Sequence, residues 1–209
     1  MKYSLKIKQS MNLDKLFTYL SDKGFQESRT GNIMFPIYIY TYDPGESYNL
    51  KDEIKQLNKK LSRPKNNLQC QVIDIYDFFI QYLSEMKIGT NSFLSAVFEK
   101  EKDDPENTHY FIEDKLHEVS FYNYLQKEIK KHFTTPPIEK KSYLLVYGFD
   151  KIFPYLRVST FSKNIENIIK GFKVILFYPG EYQSGYYRMF KEVESENAYR
   201  ATYLNQFIN

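Results

Sequence analysis

The chain has no tryptophan, a single cysteine and only eight glycines among its 209 residues. Each scarcity removes a class of function. Cys70 cannot close an internal disulfide, and a lone cysteine suits a reducing compartment. It lies in the apolar run Cys70 to Ile75, which predicts a buried small hydrophobe rather than a nucleophile. No GxxxxGK[ST] follows any apolar run and no GxGxxG occurs, so neither a phosphate-cradling loop nor a dinucleotide fingerprint is present. No Gly-x-Ser-x-Gly elbow occurs either. No stretch approaches the roughly 20 consecutive apolar residues that span a bilayer. The start, MKYSLKIKQSMNLDKLF, lacks the apolar core of a secretory signal, so a cytoplasmic protein with no membrane association is expected. Charge of one sign is also missing. A formal net charge of +3 and a pI near 8.6 fall short of a dedicated nucleic-acid module.

Aromatics are abundant instead, with 20 Tyr and 17 Phe. Many stand in short strand-like runs. Phe172 to Phe190, FKVILFYPGEYQSGYYRMF, opens with an apolar run, Val174 to Phe177, of the kind buried on both faces of a parallel sheet. The pair Pro179-Gly180 predicts a tight turn there. Ile33 to Tyr40 and Tyr143 to Tyr147 read as further strands, with Pro36 arguing for an outer place for the first. Gln71 to Tyr76 is another, and Asn197 to Leu204 alternates as a final edge strand.

Between the strands, apolar residues recur at helical spacing. Leu13, Leu16, Phe17 and Leu20 define a first helix; Leu50, Ile54, Leu57 and Leu61 define a second. Phe153 to Ile169 reads as one helix ended by Gly171. From about residue 90 to 135 no strand signal occurs, and two helical segments divided at Pro105 predict a helical insertion. The alternation predicts one three-layer α/β domain with a mainly parallel sheet, Rossmann-like or P-loop-like but without a phosphate-binding loop.

In such sheets ligands and partners bind beyond the carboxyl ends of the strands. The residues there are the site candidates. Asp43, Asp77, Asp150 and Glu181 follow strand ends, and Asp43, Asp150 and Glu181 together could hold Mg²⁺ for phosphoryl transfer or nuclease chemistry. The same residue types are ordinary turn and cap formers. Arg157, Arg188 and Arg200 suit phosphate or carboxylate partners, with an internal bridge from Arg157 to Asp150 or Glu181 as the structural alternative. The histidines, His109, His117 and His132, fall in the insertion without ligand spacing.

Three segments resemble the BrxB proteins of bacterial BREX (bacteriophage exclusion) systems. They are IYIYTYDPGESYNLKDEIKQL, YGFDKIFPYLRVSTFSKNIENI, and LFYPGEY with its sequel NAYRATYL, covering roughly Leu13 to Leu204. Tyr42, Asp43, Pro44, Gly148, Pro154, Arg157, Tyr178, Pro179, Gly180, Tyr182, Tyr199 and Arg200 match the family's pattern. That pattern has a second glycine where this chain has Asp150, and Ser-His where it has Val158-Ser159. The resemblance implies a cytoplasmic anti-phage defence component with no assigned reaction of its own, and no cofactor is expected. Its partners would be other BREX proteins: a PglZ-family phosphatase-like protein, an AAA+ type ATPase and an adenine methyltransferase complex, with a homodimer and direct DNA binding as further alternatives. The expected contact residues are Tyr42, Asp43, Arg157, Tyr178, Glu181, Tyr182, Arg188 and Arg200.

Overall fold

The computed structural model describes residues 12–27, 36–66, 68–133, 141–169, 171–194 and 201–208. In chain order, α1 (Leu13–Ser21) and α2 (Lys23–Gln26) precede β1 (Ile37–Tyr42), α3 (Ser47–Leu61) and β2 (Leu68–Asp74). Next come α4 (Ile75–Glu85), the small hairpin β3 (Lys87–Ile88) and β4 (Asn91–Ser92), then α5 (Phe93–Asp103), α6 (Pro105–His117) and α7 (Val119–Phe133). The remainder is β5 (Lys141–Tyr147), α8 (Phe149–Ile152), α9 (Val158–Ile165), β6 (Phe172–Gln183), β7 (Tyr186–Met189), β8 (Val193–Glu194) and β9 (Thr202–Tyr203).

The main sheet runs in the order β2-β5-β6-β1-β9, with every neighbouring pair parallel. Alternation along each strand divides two cores. Ile37 and Ile39 of β1, Leu144 and Val146 of β5, and Val174 and Leu176 of β6 face one side. Tyr38 and Tyr40, Tyr143 and Leu145, and Ile175 and Phe177 face the other. Both faces are therefore covered, which is the three-layer arrangement the apolar runs predicted. On the first face lie α4, α5 to α7, α8 and α9; α1, α2 and α3 cover the second. Leu16, Leu20, Ile54 and Leu61 on the second face are wholly inaccessible. Each contributes about 1.5–3 kcal/mol of burial. Among the described residues no helix is long and apolar enough to cross a membrane. Cys70 is buried, and burial pushes its thiol up to about 12.

Three local expectations change. Pro36 precedes β1 instead of lying in it, and its carbonyl accepts from the Val174 amide at 2.8 Å. The missing N–H thus falls outside the ladder, and β1 runs between β6 and β9. Phe153 to Ile169 is not one helix. Pro154 follows a cis peptide bond after α8, and helix resumes only at Val158. Finally, β6 does not end at Pro179-Gly180; it continues to Gln183 and turns at Ser184-Gly185, both at positive φ, into β7. Of the predicted first strand, residues 33–35 lie outside the described residues, as do 197–200 of the last.

At the amino edge of the sheet, Lys173 lies partly buried. Its Nζ donates to the Phe25 carbonyl and stands 4.1 Å from the Phe25 ring centroid and 5.7 Å from that of Tyr38. The rings favour the ammonium, but burial, with Lys141 nearby, outweighs them and lowers the amine to about 8. Below about 8 both folded and unfolded chains hold this proton. From there up to the ordinary value of 10.5 the unfolded chain binds more protons, so stability rises with pH. Lys173→Met is expected to abolish that rise and to stabilise the protein at neutral pH by on the order of 1 kcal/mol, after allowing for screening of a partly exposed amine. Urea unfolding of both proteins across this pH range checks it.

Candidate functional site

The crossover after β1 uses α3 on one face, whereas those after β2 and β5 use helices on the other. The change of side falls between β1 and β6, the place where open α/β sheets form a crevice. Its walls are the ends of β1 and β6. In nucleotide-binding relatives of this architecture a glycine-rich loop leads to a helix N-terminus that attracts phosphate. Here the link to α3 is a single 3-10 turn, Pro44–Glu46, introduced by Asp43 and followed by Glu46 at the helix cap. Asp43 caps that turn, and Glu46 stands at the start of α3 without a side-chain capping bond.

Asp43 is fixed in place. Its Oδ1 accepts from the Gly45 amide at 2.9 Å and its Oδ2 from Lys191 Nζ at 2.6 Å, tying the end of β1 to the turn after β7. Tyr42 is buried, and Ser47 Oγ donates to its hydroxyl at 3.4 Å. Burial raises the Tyr42 phenol, and the negative charges of Asp150 and Asp74 raise it further. Three strands away, at the end of β2, Asp74 Oδ1 caps α4, accepting from the amides of Tyr76 at 3.2 Å and Asp77 at 3.4 Å. Its Oδ2 pairs with Lys151 at 2.5 Å, and the Asp74 side chain is only 6% exposed.

The far half of β6 rises above the sheet as a hairpin with β7. Gly180 permits this close pairing, since a Cβ there would stand 2.1 Å from the Arg188 carbonyl oxygen. Glu181 faces Arg188 across the hairpin, with 3.5 Å between the charged atoms. Tyr182 stacks on Tyr203 of β9 at 4.5 Å between centroids and tilts against Tyr187 at 4.8 Å. Tyr178 is buried beneath, edge-on to Tyr187.

The structure thus gathers Tyr42, Asp43, Tyr178, Glu181, Tyr182 and Arg188 along one edge. Glu181 takes Arg188 as its partner, not Arg157, which stands at the position preceding α9 without a side-chain capping bond. Arg200 lies outside the described residues. Asp43 and Glu181 are each committed to a cation, and among the described residues no group of three His, Cys, Asp or Glu is placed to hold a metal ion. Lys191, Lys151 and Asp74 were not among the sequence candidates. Asp74 carried a readable signal, an Asp immediately before an amphipathic helix. The two lysines carried none, because their partners are distant in sequence.

These observations define a class: a three-layer α/β protein with a mainly parallel sheet, ion-paired and rich in tyrosine beyond the carboxyl ends of β1 and β6. The family model of BREX protein BrxB matches residues 71–204. The chain belongs to the BrxB family and is a component of BREX phage defence. It is similar to the BREX protein BrxB of Bacillus cereus (strain H3081.97), 21% identical over 189 residues that cover 90% of this chain and 93% of that relative. No solved structure matches significantly.

Proposed function

We propose that this chain is a non-catalytic adaptor of a BREX complex, acting as one α/β domain in the cytoplasm and docking larger BREX proteins at the carboxyl edge of its sheet. The phosphatase-like, ATPase and methyltransferase components are the partners of choice. The observation that carries this reading is that four of the seven exposed aromatic side chains among the described residues stand at that edge, Phe98, Tyr110 and Phe207 being the others. Tyr48 and Tyr76, in the first turns of α3 and α4, and Tyr182 and Tyr186, on the hairpin, are all solvent-exposed at that edge. Tyrosine and arginine are the side chains that dominate contact energy in protein interfaces, and here rigid elements present them. The carboxylates beside them are engaged in ion pairs, which supports contact over chemistry.

A plating assay separates adaptor from enzyme. Asp43→Asn and Glu181→Gln keep the shape of both side chains and remove any metal-binding or acid-base capacity. Defence against phage is expected to persist within a few fold for each variant. Loss by several orders of magnitude, the usual result of deleting a catalytic carboxylate, in a variant that still folds and still co-purifies with the same BREX proteins as the wild type would overturn the adaptor reading in favour of an enzyme.

A further inference from the structure

The helical insertion leaves two large rings in solvent, Phe98 of α5 and Tyr110 of α6, the latter 59% exposed. The inner sides of the same helices are satisfied. Phe93 and Val97 of α5 and Leu116 of α6 are buried against the first face of the sheet, and Phe93 stacks on Phe111 at 4.7 Å between centroids. Lys115 turns inward too, its Nζ 5.0 Å from the Phe93 centroid and paired with Glu118.

Residues 93–117 carry seven carboxylates and three lysines, in a chain whose formal net charge is +3. All three lysines are committed: Lys100 to Asp104 at 3.2 Å, Lys102 to Glu99 at 3.1 Å, and Lys115 to Glu118. Glu101, Asp103, Glu106, Glu113 and Asp114 are left with no ion-pair partner among the described residues. At the carboxyl edge the reverse holds, since Asp43, Asp74, Asp77 and Glu181 each hold a cation. Three of the free carboxylates surround the exposed ring of α6. Helix residues three and four apart share a face, which sets Glu106 one turn before Tyr110, and Glu113 and Asp114 one turn after it. His109 lies against the same ring at 3.8 Å between centroids. Free carboxylates without a free lysine repel phosphate. A guanidinium is held twice there, with its plane on tyrosine and its fork on a carboxylate.

We propose that the outer face of α6, formed by Tyr110 with Glu106, Glu113 and Asp114, docks an arginine-bearing segment of a partner protein. This rests on the adaptor reading and supplies what bridging requires, a second contact surface, carried by the insertion and not by the strand ends. Charge complementarity selects the occupant, and the exposed ring supplies an anchor that an acidic helix face alone lacks.

Two measurements test it. In the first, fluorescence anisotropy follows oligo-arginine and oligo-lysine peptides of equal length and a short DNA duplex, each titrated with the intact chain. Oligo-arginine is expected to bind best, because an ammonium has no planar fork to stack or to pair bidentately. Tyr110→Ala, and separately Glu106→Gln/Asp114→Asn, should each weaken that binding at least about tenfold. Tyr110→Phe, which keeps the ring, and Tyr182→Ala, on the hairpin, should bind as the wild type does. Preferred binding of oligo-lysine or of the duplex, or equal oligo-arginine binding by Tyr110→Ala, overturns the proposal. In the second, the tagged wild-type chain and the variant Tyr110→Ala/Asp114→Asn are used to capture co-expressed products of neighbouring genes. A product captured by the wild type and at least about tenfold less by the variant supports the docking face. Equal capture by both overturns this face and leaves the adaptor reading intact. No capture by the wild type overturns the adaptor reading and this face with it. A dimeric mass that becomes monomeric in the variant assigns the face to a second copy and overturns the partner-protein proposal.

Discussion

Replacing Gly148 by alanine is expected to lower the unfolding free energy by at least about 3 kcal/mol, a loss large enough to threaten folding of a marginally stable chain. Gly148 follows β5 directly and adopts φ +89, a conformation that side chains resist. A Cβ there would stand 2.3 Å from Asp74 Oδ1. That carboxylate cannot move aside without cost, because it caps α4 through the amides of Tyr76 and Asp77 and pairs with Lys151 while nearly buried. Urea unfolding gives the magnitude, and a double-mutant cycle gives the cause. If the clash with Asp74 is responsible, Asp74→Ala combined with Gly148→Ala will cost clearly less than the sum of the two single changes.

Asn205→Ala should cost about 2–3 kcal/mol, nearly all of it through the backbone of β1. The edge strand β9 pairs with β1 only at Tyr38 and Ile39. Beyond it the Asn205 side chain continues the ladder. Its Oδ1 accepts from the Thr41 amide at 2.9 Å and its Nδ2 donates to the Thr41 carbonyl at 2.8 Å. One carboxamide serves as a peptide group for a residue at which the strand has run out. Both residues are buried, so truncation leaves a donor and an acceptor unsatisfied and exposes an edge to pairing with other chains. Asn205→Asp should be worse than alanine, since a second acceptor would face the Thr41 carbonyl. Hydrogen exchange of the Thr41 amide should accelerate in either variant ahead of the central strands. Protection equal to wild type would show that the carboxamide does not hold this edge.

These two positions also mark the limit of what the sequence discloses. The runs IYIYTY, YLLVY and VILFY announce strands buried on both faces, and the structure places them as neighbours, β5 beside β6 beside β1. The amphipathic spacing of Leu50, Ile54, Leu57 and Leu61 likewise becomes the buried stripe of α3. Such features are local, set by a periodicity of two or 3.6 residues. Asn205 and Thr41 are 164 positions apart, and only the register of β9 on β1 brings them together. Pro179-Gly180 misleads for a related reason. The pair has the composition of a turn, but the tertiary partner of Gly180 is the backbone of Arg188, and the strand continues so that the hairpin can pair. At the site, Tyr42 and Asp43 were legible as residues at the carboxyl end of a parallel strand, whereas Tyr178 and Glu181, expected at a strand end, lie within β6 as it runs on into the hairpin. The exposed tyrosines of α3 and α4 were not singled out, since helical periodicity alone does not distinguish a ring left in solvent from one that packs.

The measurement that tests the adaptor account most directly is the mass of the complex recovered when the tagged chain is co-expressed with its neighbouring BREX genes and purified under native conditions. The account predicts a stoichiometric assembly with at least one larger BREX protein, retained in Asp43→Asn and Glu181→Gln and lost in Tyr48→Ala/Tyr76→Ala. Recovery of this chain alone, at the mass of a single copy, would contradict it.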